Sequence, residues 1–395
     1  MQHTDLVSCP PLPSIRGRRR RLDLSTDPRT WRDVTLLAPL TRGGTLPFRR
    51  LCVELGATIT CGEMAYARAV MRGKRREWAL LQHHPSEPCF GVQLAGRSAD
   101  RLIRATKTAA DSGAQFVDLN CGCPIQDATN RGFGARLLQR PAKLGRLVAM
   151  FVAGSPLPVT VKIRLGWDDT DHASELARVI EEAGASALSI HGRTRNQRYS
   201  RTADYAQIRA IAAERGIPVI GNGDVLTWYE AEARRPGLAG IMVARGALIK
   251  PWIFRELTER RELCLSATER LVIYTRLAEF YRDHFGDDER GLQRTLAFLP
   301  WHFKFFHRYR HFPASTHAAA AETHPLLQTR DPDLTPDDPL EALLQNADEA
   351  VHLALARLLW DASLDGLDAV LPRIRALAED PPISDGRVEE PAPAG

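Results

Sequence analysis

The sequence has no apolar run approaching the roughly 18 uninterrupted residues of a membrane-spanning helix. An integral α-helical membrane protein is therefore excluded. The first ten residues lack the charged start and following apolar stretch of a secretory signal, so export is not indicated and the chain is read as cytoplasmic. Cysteine is scarce: the 7 thiols are odd in number and form no CxxC pair. A disulfide framework and a zinc site of ordinary spacing are both disfavoured, no metal is expected, and a notable cysteine is more readily chemical than structural.

Charge of one sign is not abundant either, since the formal net charge is only +5. It is unevenly placed. Arg16, Arg18, Arg19, Arg20 and Arg21 crowd the N-terminus, while 331–341 and 380–395 are rich in acid. Basic clustering favours a phosphate-bearing partner, although the N-terminal run alone is read equally well as a solvated arm.

What is present is ordinary globular material. Of 395 residues, 44% are apolar and 26% charged, enough for two domains, one of which could be a barrel of about 250 residues. From residue 34 the chain cycles between short β-rich runs and longer amphipathic stretches. The runs are Val34–Leu40, Thr58–Met64, Phe90–Leu94, Phe116–Asn120, Pro158–Arg164, Ala187–His191, Pro218–Asn222 and Gly240–Ala244. Repeated βα units predict a parallel sheet, and an eightfold count closes it into a (β/α)8 TIM barrel.

The runs end on residues unusual for a core: Pro39, Glu63, Gln93, Asn120, Lys162, His191, Asn222 and Arg245. Strand C-termini form the active face of this fold, so the pattern predicts one site assembled from most of the strands. Beyond about 257 the cycle stops and helical periodicity begins. Ser266 and Glu269 have capping-box spacing ahead of Leu271, Tyr274, Ala278, Tyr281 and Phe285. A second helix is expected through Leu292–Phe306, bent at Pro300, and a third through Leu340–Leu358. The expected organisation is a basic arm over 1–33, the barrel over 34–257, a helical RNA-binding domain over 258–379 and a disordered tail over 380–395.

Five motifs and Gln93 carry chemistry. LNCGCP (119–124) puts Cys123 where a strand opens into its loop. A thiol with an ordinary pKa near about 8.5 is protonated at neutral pH and can donate that proton, whereas Cys121 suits a buried structural role. GNGD (221–224) and ARG (244–246) end the seventh and eighth runs, where barrels commonly cradle phosphate, and Arg245 can add a bidentate charge. VKIR (161–164) and HGRT (191–194) set Lys162 and His191 over the mouth, where a lysine can stabilise the negative charge of a reduced flavin. Gln93 offers a carboxamide to the edge of a pyrimidine-like ring.

Together APL (38–40), VQLAG (92–96), LNCGCP, VKIR, HGRT, GNGD and ARG resemble the ordered motif set of the tRNA-dihydrouridine synthases. The resemblance covers nearly the whole chain. APLTRGGTLPFRRLC (38–52), TCGEMA (60–65) and LAFLPWHFKFFHRYRHFP (296–313) are more similar to the eukaryotic-type subgroup acting on the variable-loop region. It implies FMN at the barrel mouth, touched by Ala38, Pro39 and Leu40, by Gln93 and Lys162 at the pyrimidine edge, and by His191 near the ring. Asn222, Gly223, Asp224, Ala244 and Arg245 would surround ribityl and phosphate, Asn120 would support the site, and Cys123 matches the family's proton donor. NADPH would reload the flavin, and the enzyme would act as a monomer on tRNA.

A uridine in folded RNA must be swung out of its stack, which demands a grip on the neighbouring phosphates. Candidates are Arg193, Arg195 and Arg198, the run Lys74–Arg76, and Lys304 and Arg308 within the aromatic and basic stretch 301–312, whose Phe303, Phe305 and Phe306 are read as helical core. Arg131–Gly134 departs from a more glycine-rich family segment, so Phe133 is expected to reshape the loop bearing Cys123. An FMN enzyme of free pyrimidines such as dihydroorotate, and an RNA-binding barrel without catalysis, remain open as alternatives.

Overall fold

The computed structural model describes residues 34–329 and 336–383; the Arg16–Arg21 run and the tail beyond 383 lie outside the described residues. Nine strands are present among them: β1 (Val34–Leu37), β2 (Ile59–Cys61), β3 (Ala65–Tyr66), β4 (Phe90–Ala95), β5 (Phe116–Cys121), β6 (Val159–Arg164), β7 (Ala187–His191), β8 (Val219–Asn222) and β9 (Gly240–Val243). All pairings are parallel. β1 bonds to both β2 and β9, β2 bonds to β4, and β4 through β9 follow in order, so eight strands close a barrel. The two-residue β3 continues the second stave along β4. The fold is the expected TIM barrel.

A strand's period of two decides what fills the interior. Phe116, Asp118 and Asn120 share one face of β5, and Thr160 and Lys162 share one face of β6. Apolar groups occupy the lower layer, where Leu36, Ile59, Phe116, Ala187 and Met242 pack in one buried cluster. Gly91 makes room there. A Cβ at Gly91 would meet the Phe116 ring at 2.1 Å, so the missing side chain is what lets that ring fill the barrel axis. Polar groups occupy the upper layer, at the strand ends. Register sets them side by side on neighbouring strands, with Gln93 beside Asp118, Asn120 beside Lys162 and His191 beside Asn222.

The outer helices form where apolar residues recur at helical spacing. Ala99–Asp111 buries Leu102, Ala105, Thr106 and Ala109, and Trp228–Arg234 starts from a capping box between Thr227 and Glu230. The segment 312–329 groups with the barrel rather than with the other helices. Its backbone is tied to barrel side chains: Ala314 N–H donates to Glu262 (2.9 Å) and Leu326 N–H to Glu230 (3.1 Å), while the Tyr229 hydroxyl donates to the Phe312 carbonyl (3.1 Å).

The second compact unit, taken by itself, is helical. The Ser266–Glu269 capping box opens the helix Ala267–Phe285, as its spacing predicts. The expected second helix is instead two, Glu289–Leu296 and Leu299–Phe306, because Pro300 takes the first turn of a new helix, where its missing N–H costs nothing. The expected third is also two, Pro339–Gln345 and Glu349–Asp365, with Asp348 capping the restart. Phe303 and Phe306 are buried, and Phe306 stacks on Tyr274 at 4.3 Å. No helix among the described residues is long and apolar enough to cross a membrane.

Candidate active site at the barrel mouth

A chain of hydrogen bonds climbs the barrel interior to the loop after β5. Thr160 Oγ1 donates to Asp118 Oδ1 (2.6 Å), Gln93 Nε2 donates to Asp118 Oδ2 (2.7 Å), and Asn120 Nδ2 donates to Gln93 Oε1 (2.7 Å). Asn120 Oδ1 then accepts from the backbone N–H groups of Gly122 (3.2 Å) and Cys123 (2.9 Å). Arg164 reaches across to the Gly122 carbonyl (2.9 Å) and the Thr194 carbonyl (3.0 Å). The turn carrying Cys123 is thus held from below and from the side. Cys121 is fully buried, whereas Cys123 is only half-buried. Burial pushes the Cys123 thiol above its ordinary pKa, so it keeps its proton at neutral pH.

Along the next strands, β6 to β8, lie donors. Lys162 Nζ donates to Asn222 Oδ1 (3.0 Å), whose amide in turn donates to the Met242 carbonyl (2.8 Å). Burial first, then the neighbouring Arg164, pull the Lys162 pKa down to about 8. His191 is held neutral by burial and by the positive charges of Arg164, Lys162, Arg193 and Arg245. Arg193 Nη1 lies 3.2 Å from His191 Nε2. A guanidinium can only donate, so Nε2 accepts and the ring proton sits on Nδ1.

The loops after β8 and β9 form a small-residue cradle. Gly223 has a φ of +128°, open to glycine at little cost, and a Cβ at Gly246 would strike the Val225 carbonyl at 2.0 Å. Arg245 lies over the Tyr199 ring at 4.0 Å, with its guanidinium 3.8 Å from Asp224. Ala38, Pro39 and Leu40 leave β1 at the same rim, and Ala244 follows β9. The barrel brings the twelve residues expected around a cofactor to this one end, but not all are free for it: the Gln93 carboxamide is engaged by Asp118 and Asn120, Asp224 by Arg193 and Ala203, and Ala38 packs in the buried apolar cluster. Their donors and cations, with a glycine cradle beside an arginine, fit a planar heteroaromatic group that gains negative charge and carries a phosphate.

The sequence profile of the dihydrouridine synthase (Dus) family matches residues 36–326. The chain belongs to this family. Among curated relatives, one from Cryptococcus neoformans is 46% identical over 300 residues, covering 71% of this chain and 41% of its own. One from Coprinopsis cinerea is 42% identical over 318 residues, covering 76% and 46%; both are named tRNA-dihydrouridine(47) synthase, NAD(P)(+). A human relative, named as similar to that enzyme, is 38% identical over 295 residues, covering 74% and 44%. The chain spans about half the length of the curated relatives it matches.

In this Dus family member the expected RNA contacts separate into two groups. Arg195, Arg198 and Arg308 reach solvent, and so does Lys304, paired with Glu349. Arg193 does not. It is fully buried, its Nη2 on both oxygens of Asp224 (2.8 and 2.6 Å) and its Nε on the Arg201 carbonyl (2.5 Å), so it is unavailable to a polyanion. Asp224 is likewise committed, also accepting from the Ala203 N–H at 2.8 Å. The pair braces His191 and the β8 loop. Sequence reasoning also passed over Asp118, Arg164 and Tyr199. Asp118 had a readable signal, since it sits two residues before Asn120 and so shares its face.

Proposed function

We propose that this chain reduces the C5–C6 double bond of a uridine in tRNA, with FMN as bound cofactor and NADPH as reductant, at the position 47 that its relatives' names carry. The observation that carries the reading is Cys123: a half-buried thiol kept protonated, on a braced turn at the end of β5, with Lys162 and His191 on the next two strands and Arg245 after β9. Reducing a pyrimidine double bond needs a hydride on one carbon and a proton on the next. FMN, when bound, supplies the hydride.

The protein's part is binding, orientation and proton delivery. Lys162 offers a positive charge to the pyrimidine edge of the cofactor, favouring its electron-rich form, and His191 presents an Nδ1–H donor in a neutral ring. Arg245 and the Gly223 and Gly246 turns hold the phosphate end. Asn120 fixes the backbone of Cys123 so that the thiol proton is aimed at one carbon of the substrate.

The test is to incubate flavin-loaded protein with NADPH and either an unmodified tRNA transcript or free pyrimidines, and to map dihydrouridine. Conversion at position 47 of the transcript supports the reading; turnover of the free pyrimidines alone overturns it.

A further inference from the structure

Beside the Cys123 turn lies a cleft of about 390 Å³ that the chemistry above does not use. Its walls are carbon: Ala67, Ala95, Gly96, Tyr66 and Phe133. Its rim is cationic, with Arg68, Arg72, Lys74, Arg97, Arg101 and Arg131. No acidic residue lines it, and among the described residues only Arg131 of these six has a carboxylate partner, Asp127 at 2.8 Å. The helix Ala99–Asp111 starts in its wall, and Ser98 makes no side-chain cap there, leaving the positive end of a helix dipole available. Asp100, in the first turn, does not line the cleft.

The cleft adjoins the reacting centre through Phe133, which lies in the loop after the Cys123 turn. Phe133 lies 5.5 Å from the Tyr66 ring, and the backbone two residues on is bonded to Cys123, with Ala135 N–H donating to the Cys123 carbonyl at 3.0 Å. Arg97 also lines two further clefts that run past Arg136 and Arg140 and past Trp167. Trp167 lies between two guanidinium groups, Arg195 at 4.6 Å and Arg136 at 5.5 Å. No acid lines these either. The basic surface therefore continues past the cleft along the turn, a shape suited to several successive phosphates rather than to one small anion.

We propose that this cleft is a second nucleotide subsite: it takes one unstacked RNA nucleotide next to the uridine being reduced, base against Phe133 and Tyr66, phosphates on Arg97 and Arg101. It rests on the reading of this chain as an RNA-modifying enzyme. A uridine swung into a barrel mouth breaks its stack with its neighbour, and an apolar pocket edged with cations recovers that loss. Charge decides against a protein partner, since a wholly cationic rim without one acid suits a polyphosphate chain.

The test uses the full chain and tRNA transcripts carrying an abasic residue on either side of the target. One of the two should raise the KM for RNA about tenfold with native protein, the ordinary scale of a lost base stack. In Phe133→Ala that same transcript should suffer little additional penalty, because the stacking partner is already gone. Phe133→Leu, which keeps the pocket filled, should lie between. Arg97→Gln with Arg101→Gln should weaken RNA binding and lower its salt slope by about 1.4, for two phosphate contacts on a single strand. Arg178→Gln, on an outer helix in an exposed pair with Glu182, serves as the control and should change neither.

Full additivity of the abasic and Phe133→Ala penalties, or an unchanged salt slope, would sink the subsite. So would a rise in the KM for NADPH in place of that for RNA. Binding of the transcripts, followed by fluorescence anisotropy, reads the cleft independently of turnover. A native protein that makes no dihydrouridine from any RNA would overturn the proposed function while the binding cycle still decides the cleft.

Discussion

Cys123 illustrates how environment, rather than residue type, sets a role. Seven thiols are present, yet of the described ones burial takes Cys61 and Cys121 out of reach and leaves Cys123 half-buried on a braced turn. Cys123→Ala should retain cofactor and tRNA but lower dihydrouridine formation by about 10²–10⁴-fold, measured by single-turnover assay. Because burial raises this pKa, the protonated thiol persists through neutral pH, and the rate should fall only as pH climbs past the raised value. Lys162 has the opposite sign. Its folded pKa of about 8 lies below the ordinary 10.5, so the buried cation costs stability below pH 8 and ceases to as pH rises toward 10.5. Lys162→Met should therefore raise the thermal midpoint of flavin-free protein on the order of 2–4 °C at pH 7, less near pH 10, while flavin retention falls.

The Arg193–Asp224 pair is the clearest case of a residue whose role the sequence does not disclose. HGRT and GNGD both look like loop motifs offering charge to a ligand, and only the folded chain brings the two charges within 2.6 Å in a dry interior. Removing one partner of such a pair is costly. Asp224→Asn should destabilise the barrel by about 3–5 kcal/mol in chemical denaturation, and a loss under 1 kcal/mol would refute the bracing role.

At the scale of elements, local signals were legible where they involve neighbouring residues. The Ser266 and Glu269 capping box forms as spacing predicts, Ser266 N–H on the Glu269 carboxylate at 2.8 Å and Glu269 N–H on the Ser266 hydroxyl at 3.3 Å. Ser266→Ala should lower helical-unit stability by about 1 kcal/mol, read by the shift of the denaturant midpoint. Breaks within apolar periodicity were harder to see. Leu292 through Phe306 repeats smoothly at helical spacing, and the stop at Ala297 comes from Pro300 beginning a new first turn. The helix Leu367–Glu379, which carries Pro372 inside it, and the helix Ala314–Ala321 were not foreseen one by one.

At the scale of the molecule, the chain leaves the barrel at 263 and returns to it over 312–329. That return matters energetically. The buried Glu230 carboxylate accepts from the Leu226, Thr227 and Leu326 backbone N–H groups at 2.8, 3.1 and 3.1 Å, and from Arg234 at 3.3 Å. A chain shortened to residue 263 would leave part of this carboxylate unpaired and expose the surface that 312–329 covers. It should lose several degrees of thermal stability and release flavin more readily than the 395-residue chain, as differential scanning fluorimetry and flavin fluorescence would record; equal stability of the two would refute the structural role of the return.

The sequence by itself determined the barrel, its eight staves and the rim on which the polar strand ends lie, because strand alternation and βα periodicity are local properties written along the chain. Tertiary structure alone decided which polar residues face the mouth and which are spent on one another. Asp118, Arg193 and Asp224 are committed to partners 25 to 42 residues away, at 2.6–2.8 Å. The physical reason is that a buried charge must find a counter-charge or hydrogen-bond donors in space, and spacing along the chain does not say where strand closure will put them.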